Sequence, residues 1–119
     1  MQWYIAKITF QIVCGDGDHM PQFDEQLRLI YAKSFEHALQ KARQFGEQGE
    51  DTFLNNNGQL VKWKFINVVN LYNLHSLEDG SEICSNVHEV VHSEMFIQLI
   101  NNKAALLKSR YDDGVVEQF

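Results

Sequence analysis

The chain is poor in basic residues, proline and cysteine, and it has no long apolar run. Its 119 residues include 10 Lys and Arg against 16 Asp and Glu, which gives a net charge of -6. Because binding to a nucleic-acid backbone depends on clustered cations that release counterions, this balance argues against a nucleic-acid partner. No stretch reaches membrane-spanning length, and the opening Met1-Gln2-Trp3-Tyr4 lacks the basic and apolar regions of a signal peptide. We therefore expect a cytoplasmic protein with no membrane partner.

Several chemical signatures are also missing. Cys14 and Cys84 stand far apart and outside any C-x-x-C spacing, so we expect both to be small buried apolar groups of a reducing compartment. Neither Ser34 nor Ser85 lies in the G-x-S-x-G sequence of an activated nucleophile. The Gly15-Asp16-Gly17-Asp18 stretch has no glutamate at the twelfth position of a calcium loop and predicts a turn. The sequence therefore predicts no catalytic residue and no cofactor from these motifs.

The clearest positive signal is a helix from Ser34 to Glu50. Ser34 is suited to accept hydrogen bonds from the first turn, and Gly46 and Gly49 mark the predicted end. An apolar stripe along this helix requires a covering surface, which alternating segments before and after it would supply as a sheet. Its residues recur at steps of three and four: Phe35, Ala38, Leu39, Ala42 and Phe45.

Alternating apolar residues predict the strands. Tyr4 to Ile12 and Asp24 to Ala32 are expected to pair as a long antiparallel hairpin. The Asn-Gly pair within Asn55 to Gly58 predicts a second hairpin turn. From Leu60 to Leu74 the alternation changes phase after Phe65, which indicates a bulge in a central strand or a bent pair of strands.

Ile83 to His88 alternates as a closing strand, and Ser93 to about Arg110 has the period of a second helix. The predicted fold is therefore α+β, with an antiparallel sheet of about five to six strands, one helix packed on a face, and a C-terminal helix. We expect residues 1–119 to form a single domain, in which residues 93–119 are a C-terminal helical extension. The tail from Tyr111 to Phe119 has no period, and we expect it to be loose.

Four groups of residues together resemble a small bacterial family filed as domain of unknown function 4288. They are the opening Trp3-Tyr4-x-Ala6-Lys7, the stretch from Ala32 to Ala42 that leads into the helix, Trp63-x-Phe65 with Leu71-Tyr72, and the turn and strand from Asp79 to Ser85. The resemblance covers roughly residues 2–90, and the second helix extends beyond it. It implies an α+β domain of uncharacterised function, with no catalytic residues to transfer.

One local sequence matches a zinc-binding motif. His88-Glu89-Val90-Val91-His92 fits H-E-x-x-H, in which a helix presents two imidazoles to zinc and the glutamate activates a bound water. The valines continue the alternation from Ile83, which favours a strand, and on a strand His88 and His92 would stand ~13 Å apart. A helical interpretation stays open and would require a third ligand.

The remaining signal is a surplus of aromatic and apolar side chains. The strands carry more aromatic residues than one helix covers, and the second helix is amphipathic. Our first hypothesis is thus a non-enzymatic module that binds a protein or self-associates, and the C-terminal helix is the place where we expect self-association. The alternative is a zinc-dependent hydrolase that uses His88, Glu89 and His92, and a weaker third possibility is a binder of a basic protein, suggested by the negative charge. The candidate interaction residues are Trp3, Trp63, Phe96, Leu99 and Ile100.

Overall fold

A computed structural model of the protein describes residues 1–112. The elements in chain order are β1 (Gln2–Cys14), β2 (Gln22–Ala32), α1 (Phe35–Gln48), β3 (Asp51–Leu54), β4 (Leu60–Leu74) and α2 (Ser93–Asp112). The chain divides into two compact units, one of Met1–Ser85 and one that begins at Asn86. The first unit holds the sheet and α1, and the second holds α2. That these units form a single domain stays a prediction.

The sheet is antiparallel, with the strand order β2-β1-β4-β3. The predicted hairpin of β1 and β2 is confirmed, and its register runs without a shift from Gln2 opposite Ala32 to Ile12 opposite Gln22. The predicted Asn-Gly turn is confirmed as the connection between β3 and β4. Gly58 has a φ of 74°, and its N–H donates to the carbonyl of Asn55.

The core lies between α1 and one face of the sheet. Alternate residues of β1 point to this face, and Ala38 and Ala42 of α1 pack against them, all of them buried. The small alanines allow the helix backbone to approach the sheet closely. The strand residues of this core cluster are Tyr4, Ala6, Ile8, Phe10, Ile30 and Ala32.

Helix α1 begins at the predicted residue. The Ser34 hydroxyl accepts from the N–H of His37 at 3.1 Å, and the His37 ring accepts from the N–H of Lys33 at 3.0 Å. Two free N–H groups at the helix start are therefore satisfied reciprocally, in the manner of a capping box. Gly49 ends the helix as predicted, but Gly46 lies buried inside it, and Phe35 is 51% exposed instead of joining the buried stripe.

The α+β class is confirmed, but the sheet has four strands and not five to six. Residues 60–74 form the single strand β4, in which Ile66 and Val69 have no partner of their own on β1. These two irregularities bend one strand instead of dividing it into a pair. The irregularity at Ile66 confirms the predicted bulge after Phe65.

The predicted closing strand at Ile83 to His88 is wrong, because residues 81–90 contain no regular structure. Val87 is 94% exposed, so the β-branched side chains there have no neighbouring strand to pack against. The expectation for Cys84 is also wrong, since this cysteine is exposed, whereas Cys14 is half-buried. The second helix is confirmed at Ser93–Asp112. Most of the tail predicted to be loose lies outside the described residues.

Candidate functional site

The H-E-x-x-H motif lies ahead of a helix and not within one. Residues 88–90 and His92 have no regular structure, and α2 starts only at Ser93. The carbonyl of His92 accepts from the N–H of Phe96 at 3.2 Å, which makes His92 the residue that flanks the first turn. The His88 ring is tilted against the Phe96 ring, with centroids 6.1 Å apart. The helical presentation on which the zinc hypothesis depends is therefore not formed.

Potential metal ligands do not gather elsewhere in residues 1–112. No group of three or more His, Cys, Asp or Glu side chains in this range is arranged to hold an ion. Cys14 and Cys84 are both free thiols. Among these same residues, no helix is long and apolar enough to cross a membrane.

Two other histidines have structural partners that explain their presence. The N–H of Cys14 donates to Nε2 of His19 at 3.0 Å, and Nδ1 of His19 lies 2.7 Å from the carbonyl of Met20. Since Nε2 accepts, Nδ1 carries the proton and donates, so both ring nitrogens are used within the β1–β2 loop. Nδ1 of His37 is used in the same way at the start of α1. Both rings therefore organise backbone at a turn or a helix end.

An open groove runs along the start of α2. Its volume is about 490 Å³, and its lining is mainly apolar. It contains two of the predicted interaction residues, Phe96 and Leu99, whereas Ile100 lies 47% exposed elsewhere on the helix. His92 is its one titratable side chain among the described residues. The lining residues are Val90, Val91, His92, Met95, Phe96, Gln98, Leu99 and Asn102.

The two tryptophans lie on opposite faces of the sheet. Trp63 is opposite Ile12, which shares the α1 side of β1 with Phe10, and its ring is tilted against Phe10 with centroids 6.1 Å apart. Trp63 is partly buried against the core. Trp3 is odd-numbered in the regular strand β1 and therefore points to the other side. The two residues do not form one patch.

The face opposite α1, which we call the open face, carries a set of exposed apolar side chains on β1 and β2. Trp3 and Tyr31 are directly opposite in the register, and their ring centroids are 4.6 Å apart. The Lys7 ammonium and the Glu25 carboxylate pair across the same two strands at 3.4 Å. The exposed fractions of the large apolar members are 41% for Trp3, 58% for Phe23, 51% for Leu27, 59% for Leu29 and 41% for Tyr31.

The other side of β2 carries a polar ladder that the sequence reasoning missed. The Gln26 side-chain amide donates to the Asp24 carboxylate at 2.8 Å. Its carbonyl oxygen accepts from Nε and Nη2 of Arg28 at 3.0 and 2.7 Å. All three side chains are half-buried. The signal for this ladder was present in the sequence, because residues two apart on a strand share a face.

Comparison with known proteins identifies only the family. The family model described as domain of unknown function (DUF4288) matches residues 3–85, which is nearly the extent of the first compact unit, Met1–Ser85. Searches of curated proteins and of solved structures each found no significant match. The match covers well over half of the chain and confirms the resemblance seen in the sequence. The chain belongs to the DUF4288 family, which is described as a domain of unknown function.

Proposed function

We propose that the chain is a non-enzymatic protein-interaction module that works by self-association, with the open face as the surface brought to the contact. The observation that carries this proposal is the exposure of five large apolar side chains on two adjacent strands. At 41% to 59% exposure, these side chains present roughly 500 Å² to solvent, given full areas of 150–250 Å² for aromatic residues. Patches of this size on single chains are often functional.

The shape of the open face suits a protein partner better than a small ligand. Side chains that stand on neighbouring extended strands form an extended surface, whereas small molecules bind in concave sites that enclose most of their surface. Trp3 and Tyr31 supply the kind of large aromatic contact that dominates binding energy at protein interfaces.

The charges of the open face permit a second copy as the partner. With a net charge of -6, two copies repel one another over most orientations. On the open face, Lys7 and Glu25 neutralise each other, so this surface adds no like-charge conflict when two copies meet. The apolar residues around the pair then gain free energy by leaving water.

The test is the oligomeric state of matched variants. We expect light scattering to show a mass above that of one chain for the wild type and a return to the monomer for Leu29→Glu, because a carboxylate would be buried in the contact. Leu54→Glu is the control, since Leu54 is 68% exposed on β3 at the opposite edge of the sheet, compared with 59% for Leu29. A wild type that is monomeric at every concentration contradicts the proposal.

A further inference from the structure

Strand β2 is an edge of the sheet, and the peptide groups of its odd-numbered residues face away from β1. The N–H of Gly15 donates to the carbonyl of Leu60 at 2.7 Å, so the odd residues of β1 bond toward β4 and the even ones toward β2. In the register of β1 with β2, even residues lie opposite even residues. A hydrogen bond from Lys41 is consistent with this assignment, because its ammonium donates to the carbonyl of Tyr31 on the side of β2 that faces away from β1.

The rest of this edge is available for pairing. Among the described residues, nothing bonds to the outward peptide groups of Phe23, Glu25, Leu27 and Leu29. Strand β2 contains no proline and no register shift with β1, two of the features that protect an edge strand from pairing. Such an edge adds a further strand by main-chain hydrogen bonds.

We propose that the partner strand is β2 of a second copy, paired antiparallel about a two-fold axis at Gln26. This inference rests on the self-association proposed above and places its contact along the β2 edge, where Phe23 and Leu29 of the open face reach the second copy. It places Gln26 opposite Gln26 of the second copy. It also places Asp24 of each copy opposite Arg28 of the other, which gives two such pairs. The ladder of Asp24, Gln26 and Arg28 thus lies beside the same three residues of the second copy in the opposite order. Each half-buried charged side chain therefore gains a neighbour of opposite charge.

The electrostatics select this register from its neighbours. A two-fold axis at Arg28 would place the two Arg28 guanidinium groups opposite one another, which is destabilising. An axis at Leu27 would require the carbonyl of Tyr31 to accept from Phe23 of the second copy, although Lys41 already donates to that carbonyl. It would also leave Asp24 opposite Ile30, without a cation. Only the axis at Gln26 pairs both charges.

The ends of the strand fit the same register. With the axis at Gln26, Tyr31 lies opposite Pro21 of the second copy. Proline has no N–H to donate to the carbonyl of Tyr31, and that carbonyl already accepts from Lys41, so this one hydrogen bond is not lost when the pairing stops there. On the open face, Phe23 comes to lie beside Leu29 of the second copy. The two four-stranded sheets then form one sheet, and the apolar side chains of both open faces lie on the same side of it.

The first experiment separates a contact between copies from a structural role within one copy. Asp24→Arg and Arg28→Asp each set like charges opposite one another in their own dimers, and we expect each to weaken self-association by about tenfold or more. An equimolar mixture of the two variants restores both ion pairs across the axis, so native mass spectrometry should show the mixed dimer in excess. Mixing cannot repair a ladder damaged within each chain.

The second experiment fixes the register by a disulfide. In a chain that carries Cys14→Ala and Cys84→Ser, a cysteine at Gln26 faces its copy as a non-hydrogen-bonded pair, with Cα atoms ~4.5 Å apart and within disulfide range. We expect Gln26→Cys to cross-link under mild oxidation. Gln22→Cys is the control, because position 22 lies opposite Ile30 of the second copy and ~27 Å from its own counterpart.

The outcomes distinguish this inference from the proposed function. A wild-type dimer with rescue by mixing and cross-linking through Gln26→Cys supports both. A wild-type dimer without the rescue, or with Gln22→Cys cross-linking as readily as Gln26→Cys, overturns the β2 pairing and leaves self-association standing. A wild type that stays monomeric overturns both.

Discussion

The ring of Phe65 lies so close to Gly46 that a β-carbon added at position 46 would stand 2.5 Å from the ring's Cδ1. Gly46 is buried within α1, and Phe65 packs against the core from β4. The absence of a side chain at position 46, together with the small side chains of Ala38 and Ala42, therefore allows the helix to lie close to the sheet. A helix-interior glycine, which usually weakens a helix, is required here by packing.

We predict that Gly46→Ala destabilises the protein. Alanine at an ordinary helix position gains about 1 kcal/mol over glycine, but overpacking a core costs about 1–3 kcal/mol, and the clash with Phe65 makes the second effect larger. The free energy of unfolding in urea measures the balance. Gln44→Ala, at an exposed position of the same helix, should change stability by less than about 0.5 kcal/mol. A Gly46→Ala variant more stable than wild type would show that the helix is not seated against Phe65.

A second prediction concerns the start of α1. Ser34→Ala removes the acceptor of the His37 N–H and should cost about 1 kcal/mol of unfolding free energy. Ser34→Asp retains an acceptor and adds a negative charge at the positive end of the helix dipole, so we expect it to keep stability near the wild-type value. Thermal or urea unfolding of both variants checks this. Equal losses in the two variants would mean that the hydroxyl does not act as a cap.

A third prediction concerns the loop between β1 and β2. His19→Ala removes the acceptor of the Cys14 N–H, so exchange of that amide hydrogen with solvent should become faster. His75→Ala is the matched control, because His75 is exposed after β4 and has no such bond. Hydrogen exchange followed by NMR reports on the single amide. Unchanged protection of Cys14 in the His19→Ala variant would refute the role assigned to the ring.

A fourth prediction concerns zinc binding by the H-E-x-x-H motif. Protein purified without a chelator should contain well under one zinc per chain, and His92→Ala should leave metal content unchanged, since His92 stands outside the helix. Elemental analysis of both proteins measures this directly. Stoichiometric zinc that is lost in His92→Ala would revive the hydrolase hypothesis.

Much of the fold could be predicted because its signals are local. Alternation in β1 and β2, the Asn55 to Gly58 turn, the Ser34 cap and the phase change after Phe65 all correspond to features of the structure. Each of these depends on residues close in sequence, where side-chain period and backbone preference decide the conformation.

The errors arose where a partner decides the outcome. The alternation of apolar residues from Ile83 to His88 is as regular as that of the observed strands, yet this segment has no neighbouring strand to bond. Strand propensity mainly reflects how well side chains pack against such a neighbour. Gly46 looked like a helix end, because the ring that fills the space beside it comes from β4. The number of strands and the position of this glycine therefore required long-range contacts.

The candidate site was only partly predictable for the same reason. Trp3 lies just before the predicted strand of Tyr4 to Ile12, and its separation from Trp63 depends on the register of β1 with β4. The ladder of Asp24, Gln26 and Arg28 follows from the period of a strand, but that β2 lies at the edge follows from the strand order. The edge position is what turns the ladder into a candidate contact.

The most direct test of the account is sedimentation equilibrium of the wild-type chain over a wide concentration range, with Leu29→Glu measured alongside. We predict a monomer–dimer equilibrium for the wild type and a monomer throughout for the variant. A wild-type chain that sediments as a monomer at every concentration would contradict the central claim that this protein acts through self-association.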